Sequence, residues 1–210
     1  AAGQSYHASM RVALDQIEIG TRQLPQSRDA RPLRIQVPPT LAIRWLIPRL
    51  ARFHAQFPHI DVQITTSHKP ADFERDNVDV SIHSEPRAPS GPGFRRLFRE
   101  TLLPVCAPGL LARGPGLQTP EDLAQHVLLC SLNRPQDWPN WLAAAGVQGV
   151  DGNRGLKFEN AAMAYQAAAE QLGVMMALLP FVRDDLASGR LVAPLALRVP
   201  TQGSYYMAWQ

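Results

Sequence analysis

Residues 33–64 read as a strand, a helix and a second strand packed into about thirty residues, and that spacing restricts the fold more than any other feature. Leu33-Arg34-Ile35-Gln36-Val37 alternates apolar and polar side chains, the period of a half-buried strand. Pro38-Pro39-Thr40 turns the chain into a helix expected over 41–56, with Thr40 as its N-cap. Trp45, Leu46, Leu50, Phe53 and Phe57 give that helix one apolar flank, and Pro48 should bend it or cost it a hydrogen bond. Ile60, Val62 and Ile64 alternate again as a strand. Two strands separated by a helix this short pair parallel, so the chain contains a βαβ unit and a parallel sheet.

Strand and helix signals go on alternating. A helix-compatible stretch at 71–75 precedes a short strand at 78–82, a Pro/Gly-rich loop at 86–93 and an apolar run at 101–106. Thr119-Pro120-Glu121-Asp122 has the cap, first-turn proline and acidic residues of a helix start. Strands are expected at 126–130, 155–158, 173–179 and 204–209. Helices are expected at 138–145, stopped by Gly146, at 160–172, and at 180–188, closed by Gly189. The fold class is therefore α/β.

Before the βαβ unit, Tyr6, Met10, Ala13, Ile17 and Leu24 recur at steps of three, four and seven, an a/d seam on a helix at 1–24. An isolated helix of that length is marginal in water, so the seam needs a partner: its own domain or another chain. A polar, proline-bounded hinge linker at 25–32 follows.

Composition narrows the functional classes. With 21 basic against 18 acidic residues the net charge is +3, and the arginines are spread along the chain, so no nucleic-acid-binding tract stands out. No apolar run is long enough to span a bilayer, and the first 24 residues lack a secretory signal's basic head and apolar run; a cytoplasmic location is expected. The six histidines form no metal-binding spacing, no G-x-S-x-G elbow or phosphate-binding loop occurs, and His68 near Asp72 reads as a surface pairing. No catalytic residues, metal or cofactor are expected. Cys106 and Cys130 show no redox-motif spacing and read as two partly buried thiols.

Several segments in register resemble the LysR-type transcription regulators. They include Leu33-Arg34-Ile35 through Pro39-Thr40-Leu41, Leu46-Ile47-Pro48-Arg49-Leu50-Ala51-Arg52-Phe53, and Phe57-Pro58-His59-Ile60-Asp61-Val62. Val78-Asp79-Val80-Ser81-Ile82, Leu103-Pro104-Val105-Cys106-Ala107-Pro108 and Asp185-Leu186-Ala187-Ser188-Gly189-Arg190-Leu191-Val192 continue the match. Asp137-Trp138-Pro139-Asn140-Trp141-Leu142 and Gly155-Leu156-Lys157-Phe158-Glu159-Asn160 resemble the branch that holds the glycine-cleavage and β-lactamase-inducing regulators. The resemblance implies two Rossmann-like subdomains joined by crossing strands, as in type 2 periplasmic binding proteins. These would be residues 33–102 with 195–210, and residues 103–194, preceded by the dimerising linker helix. It implies a small-molecule effector, self-association into a homodimer or tetramer, and a link to RNA polymerase. DNA would be reached only through a winged helix-turn-helix absent from this chain. No membrane partner is expected.

Ligands of open α/β sheets sit beyond the carboxyl ends of strands, where helix N-termini present free N–H groups. Pro39-Thr40-Leu41 and Glu159-Asn160-Ala161 are two such junctions, one per expected subdomain. Thr40 and Asn160 can serve as helix caps, as ligand contacts, or as both. Their surroundings suit a carboxylate, an amino acid or a phosphate, although Glu159 would repel an anion. The resemblance adds Ser131 and Tyr205 to this candidate binding set. Three rival readings are a solute-binding protein serving a transporter, a redox sensor built on Cys106 and Cys130, and a small enzyme of this fold.

Overall fold

The computed structural model describes residues 31–88 and 93–210; the helix expected at 1–24 and nearly all of the linker at 25–32 lie outside them. Eight strands form one sheet: β1 (Leu33–Val37), β2 (Val62–Thr66), β3 (Val80–Glu85), β4 (Phe94–Val105), β5 (Leu128–Ser131), β6 (Leu156–Phe158), β7 (Val174–Leu178) and β8 (Val199–Trp209). Their spatial order is β2-β1-β3-β8-β4-β7-β5-β6. On one side β1 pairs parallel with β2 and β3; on the other β5 pairs parallel with β6 and β7. The βαβ unit is present, with Leu33 opposite Val62 and Val37 opposite Thr66.

The two sides are joined by the long strands β4 and β8, which run antiparallel to each other with register shifts between Arg96 and Phe98 and between Arg99 and Thr101. Each shift interrupts the ladder and bends the strand. Before the shifts β4 pairs with the part of β8 that lies against β3; after them it pairs with β7. The registers place the ends of the parallel strands at this crossing, with Ser84 of β3 opposite Tyr205, and Leu178 of β7 opposite Leu102. Both parallel sets therefore direct their carboxyl ends toward one region.

Among the described residues, the α-helices longer than one turn are α1 (Ile47–Gln56), α2 (Pro108–Arg113), α3 (Asp137–Ala145), α4 (Ala161–Ala169) and α5 (Leu179–Ser188). Gly146 and Gly189 end α3 and α5 at φ of 69° and 72°, left-handed conformations that cost glycine nothing. The core is continuous from Val37, Leu41 and Ile82 through Leu102, Leu103 and Val105 to Trp141, Ala168, Val174 and Val182.

Three local expectations are corrected. The helix after β1 opens at Pro39, with Pro38 at the cap position, so Thr40 lies inside the first turn and does not cap it. Residues 42–46 form a π turn, with the Ile47 amide donating to the Ala42 carbonyl, directly before α1. Pro48 has no N–H for an i−4 partner, and the wider turn ahead of it absorbs the mismatch without ending the run. Residues 71–75 form no helix, and 73–75 are a turn: Asp76 accepts from the Asp72 amide, and Asp72 from the Glu74 amide, which satisfies the backbone locally.

Candidate functional site

A cavity of about 230 Å³ occupies the region where the strand ends converge. Its lining follows from the topology: Pro38 and Thr40 come from the turn after β1, His83 and Ser84 from the end of β3, and Ser131 from the end of β5. Ala161 follows β6, Leu178 ends β7, and Tyr205 comes from β8. Leu129, Met175, Met176 and Phe181 supply an apolar wall.

The cavity is bridged from side to side by polar contacts. Thr40 Oγ1 accepts the Ala162 backbone N–H at 3.1 Å, joining the junction after β1 to the first turn of α4. Asn133 Nδ2 lies 3.0 Å from His68 Nε2 and also donates to the Glu159 carbonyl at 2.8 Å. His68 thus faces across the cleft, and it is Arg75, not His68, that pairs with Asp72. A third link is ionic. Arg134 donates from both terminal nitrogens to Glu100, at 3.1 and 2.8 Å, and from Nε and a terminal nitrogen to Asp137, at 2.6 and 3.0 Å.

Glu100 lies within the second register shift of β4 and is 3% exposed. Ser84 Oγ and Thr201 Oγ1 also donate to it. Burial pulls its carboxyl upward, but the Arg134 hydrogen bonds and charge, with Ser84 and Thr201, outweigh that and hold it below the ordinary carboxylate range. Asp137 behaves oppositely: burial raises it, and the opposing pull of Arg134 does not compensate. Burial also lowers His83, so its imidazole is neutral near pH 7.

Hydroxyls of the lining remain available to a guest, those of Ser131 and Tyr165 among them. Ser131 Oγ is buried and has no hydrogen-bond partner among the described residues. Tyr165 accepts the Leu178 amide at 2.9 Å, which leaves its own proton to donate. An unmet buried hydroxyl costs free energy, so a polar group entering here recovers it.

The residues singled out from the sequence are divided by this geometry. Thr40, Ser131, Ala161 and Tyr205 line the cavity; Pro39, Leu41, Glu159 and Asn160 do not. Leu41 is fully buried in the core and Glu159 is exposed. Asn160 caps α4 by accepting the Met163 amide at 3.3 Å. Sequence reasoning missed Glu100, Arg134 and Asp137; the i,i+3 spacing of Arg134 and Asp137 was a visible ion-pair signal, whereas Glu100 is brought in by the strand crossing alone.

A Thr40→Val substitution keeps the side chain's shape and strands the Ala162 N–H. About 1 kcal/mol of stability should be lost, read as a lower urea midpoint at unchanged slope.

Comparison with known proteins gives this architecture a family. The LysR substrate-binding domain model matches residues 26–210. The chain belongs to that family. It is 36% identical over 208 residues to the glycine cleavage system transcriptional activator of Escherichia coli K12, covering 98% of this chain and 67% of that protein. The effector domain of the transcriptional regulator AmpR of Pseudomonas aeruginosa superposes with a TM-score of 0.69 at 32% identity, covering 86% of each chain. The AmpR effector-binding domain of Citrobacter freundii gives 0.69 at 28% identity, over 85% of this chain and 88% of that one. The LysR domain has the periplasmic-binding-protein-like architecture of these effector domains, with a curled mixed α/β sheet.

Among the described residues, no group of three or more His, Cys, Asp or Glu side chains is arranged to hold a metal, and no helix is long and apolar enough to cross a membrane. Cys106 is fully buried and burial pushes its thiol up to about 11; Cys130 is raised for the same reason. Neither is the low-pKa thiolate a peroxide sensor needs.

Proposed function

We propose that this LysR domain senses a small anionic or amino-acid-like effector and passes the signal to DNA-binding and transcription machinery outside the chain. The observation that carries this reading is the cavity at the convergent strand ends, with a buried Ser131 hydroxyl that has no partner among the described residues and Thr40 reaching across it. Residues 33–102 with 195–210, and residues 103–194, act as the two subdomains. The β4 and β8 shifts between them are the natural flexing point. An effector favours the arrangement it contacts better, and only that difference in affinity does regulatory work.

In this reading the domain pairs with a second copy, as a dimer or tetramer, and works in the cytoplasm. It reaches DNA and RNA polymerase through the winged helix-turn-helix of a longer regulator. Its role is regulation without catalysis. The relatives being transcription regulators favours this over transport of a solute.

The test is a thermal-shift series with amino acids and aromatic carboxylates on wild type, Thr40→Ala and Ser131→Ala. A ligand at 100 times its Kd should add about 2.7 kcal/mol, a saturable rise in melting temperature that both variants reduce. A flat response to every compound would count against sensing by this cavity.

A further inference from the structure

Resting on the effector-sensing reading above, we propose that the effector carries a free ammonium group that pairs with Asp137 inside the cavity. The argument is a charge balance. Arg134 is the cation among the charged lining residues, and four of its five N–H donors are already shared between Glu100 and Asp137. One guanidinium against two carboxylates leaves the cluster with an excess of negative charge.

The remaining neighbours do not cancel it. His83 lines the cavity as a neutral imidazole, and Asn133 engages exposed His68. Arg44 stacks under the Tyr165 ring at 4.9 Å and is tied to Asp185. Of the two carboxylates, Glu100 has its oxygens met by Arg134, Ser84 and Thr201. Each Asp137 oxygen accepts a single hydrogen bond, both from Arg134, and a carboxylate has room for about four. Asp137 lines the cavity, so its spare lone pairs are the acceptor a ligand cation would find.

Ser131 is the independent pointer to a guest. It is 8% exposed, lines the same cavity, and its hydroxyl meets no protein group among the described residues. The wall of Leu129, Met175, Met176, Leu178 and Phe181 fits an aliphatic or aromatic body attached to the ammonium. The class is therefore a small primary amine or α-amino acid with an apolar side chain. A carboxylate-only ligand would have to pull Arg134 from charge-assisted bonds it already makes.

Methyl-¹³C methionine NMR reads this directly, because Met175 and Met176 line the cavity and the chain has only 5 methionines. The probes are L-leucine, isopentylamine, N-acetyl-L-leucine and 4-methylpentanoate. Leucine and isopentylamine should shift the Met175 and Met176 signals saturably, with affinities about tenfold or more above the other two. Asp137→Asn, nearly isosteric, should erase that preference. Equal or tighter binding of N-acetyl-leucine or 4-methylpentanoate would overturn the ammonium assignment and make Arg134 the anchor, leaving the sensing reading intact. An amine preference that survives Asp137→Asn in folded protein would remove Asp137 from the role. Silence of all four probes would overturn the ligand class; a flat thermal-shift series as well would take the sensing reading with it. Should the variant fail to fold, the wild-type ranking decides.

Discussion

Replacing Asp185 by Ala should lower stability by about 3–5 kcal/mol, because it strands a buried arginine. Asp185 is 2% exposed on α5 and pairs with both Arg44 and Arg190. The two partners are unequal: the Arg190 side chain is 57% exposed and can turn to water, whereas that of Arg44 is 16% exposed. Arg44 comes from the π turn after β1, donates to the Phe181 carbonyl at 3.2 Å and lies over the Tyr165 ring, so it fastens one side of the sheet to the helices of the other. Burial already pulls its guanidinium below the usual arginine value. Without Asp185 that desolvation has no carboxylate in contact to offset it. The cause can be isolated with the double variant Asp185→Ala/Arg44→Met, which fills the space and removes the orphaned charge. Urea unfolding should show the double variant more stable than Asp185→Ala alone; a double variant that is less stable would assign the loss to packing.

The parts of this fold legible in the sequence are those whose signals are local. The period of Leu33 to Val37, the stops at Gly146 and Gly189, and the capping pattern at Thr119 and Asp122 report backbone preferences within a few residues. Asp122 indeed accepts the Gln118 and Thr119 amides, although the segment it starts, Pro120–Gln125, is a 3-10 helix. The apolar run at 101–106 belongs almost wholly to a strand that begins at Phe94, whose exposed, arginine-rich first half is held by pairing with β8, which an apolar count does not register. α2, at Pro108–Arg113, is similarly short and lacks a buried residue.

The cavity divides along the same line. Thr40, Ser131 and Ala161 stand at or just beyond strand ends, a position the α/β pattern itself marks. Glu100 and Arg134 are 34 residues apart and meet only because β4 shifts register as it crosses. A one-residue change in that register would turn Glu100 to the opposite face. The sequence contains the residues of the ionic cluster, but their meeting is a property of the whole sheet. Thr40 illustrates the converse: the right residue was visible, while its partner across the cleft, the Ala162 amide, was not.

Arg134→Met should be at least as costly as losing Asp185, and its cost should depend on pH. Methionine occupies similar volume, so the principal loss is charge: Glu100, 3% exposed, and Asp137, with a side chain 14% exposed, would face each other with no cation between them. Removing one partner from a buried cluster of this kind costs about 3–5 kcal/mol near neutral pH. In the wild type Glu100 titrates below its unfolded value, so its share of stability is present above the unfolded pKa and lost as pH falls through the lower folded one. Asp137 is raised and works in the opposite direction, favouring the folded state as it takes up its proton. Without Arg134 both carboxyls should titrate above the normal range, and each then gains a proton on folding in mildly acidic solution. The stability gap between variant and wild type should therefore be widest near pH 7 and narrow steadily toward pH 4. Urea midpoints across that range give the measurement. A gap that stays constant with pH would mean that Arg134 contributes packing, and that the two carboxylates do not carry the charge on which ammonium recognition at Asp137 depends.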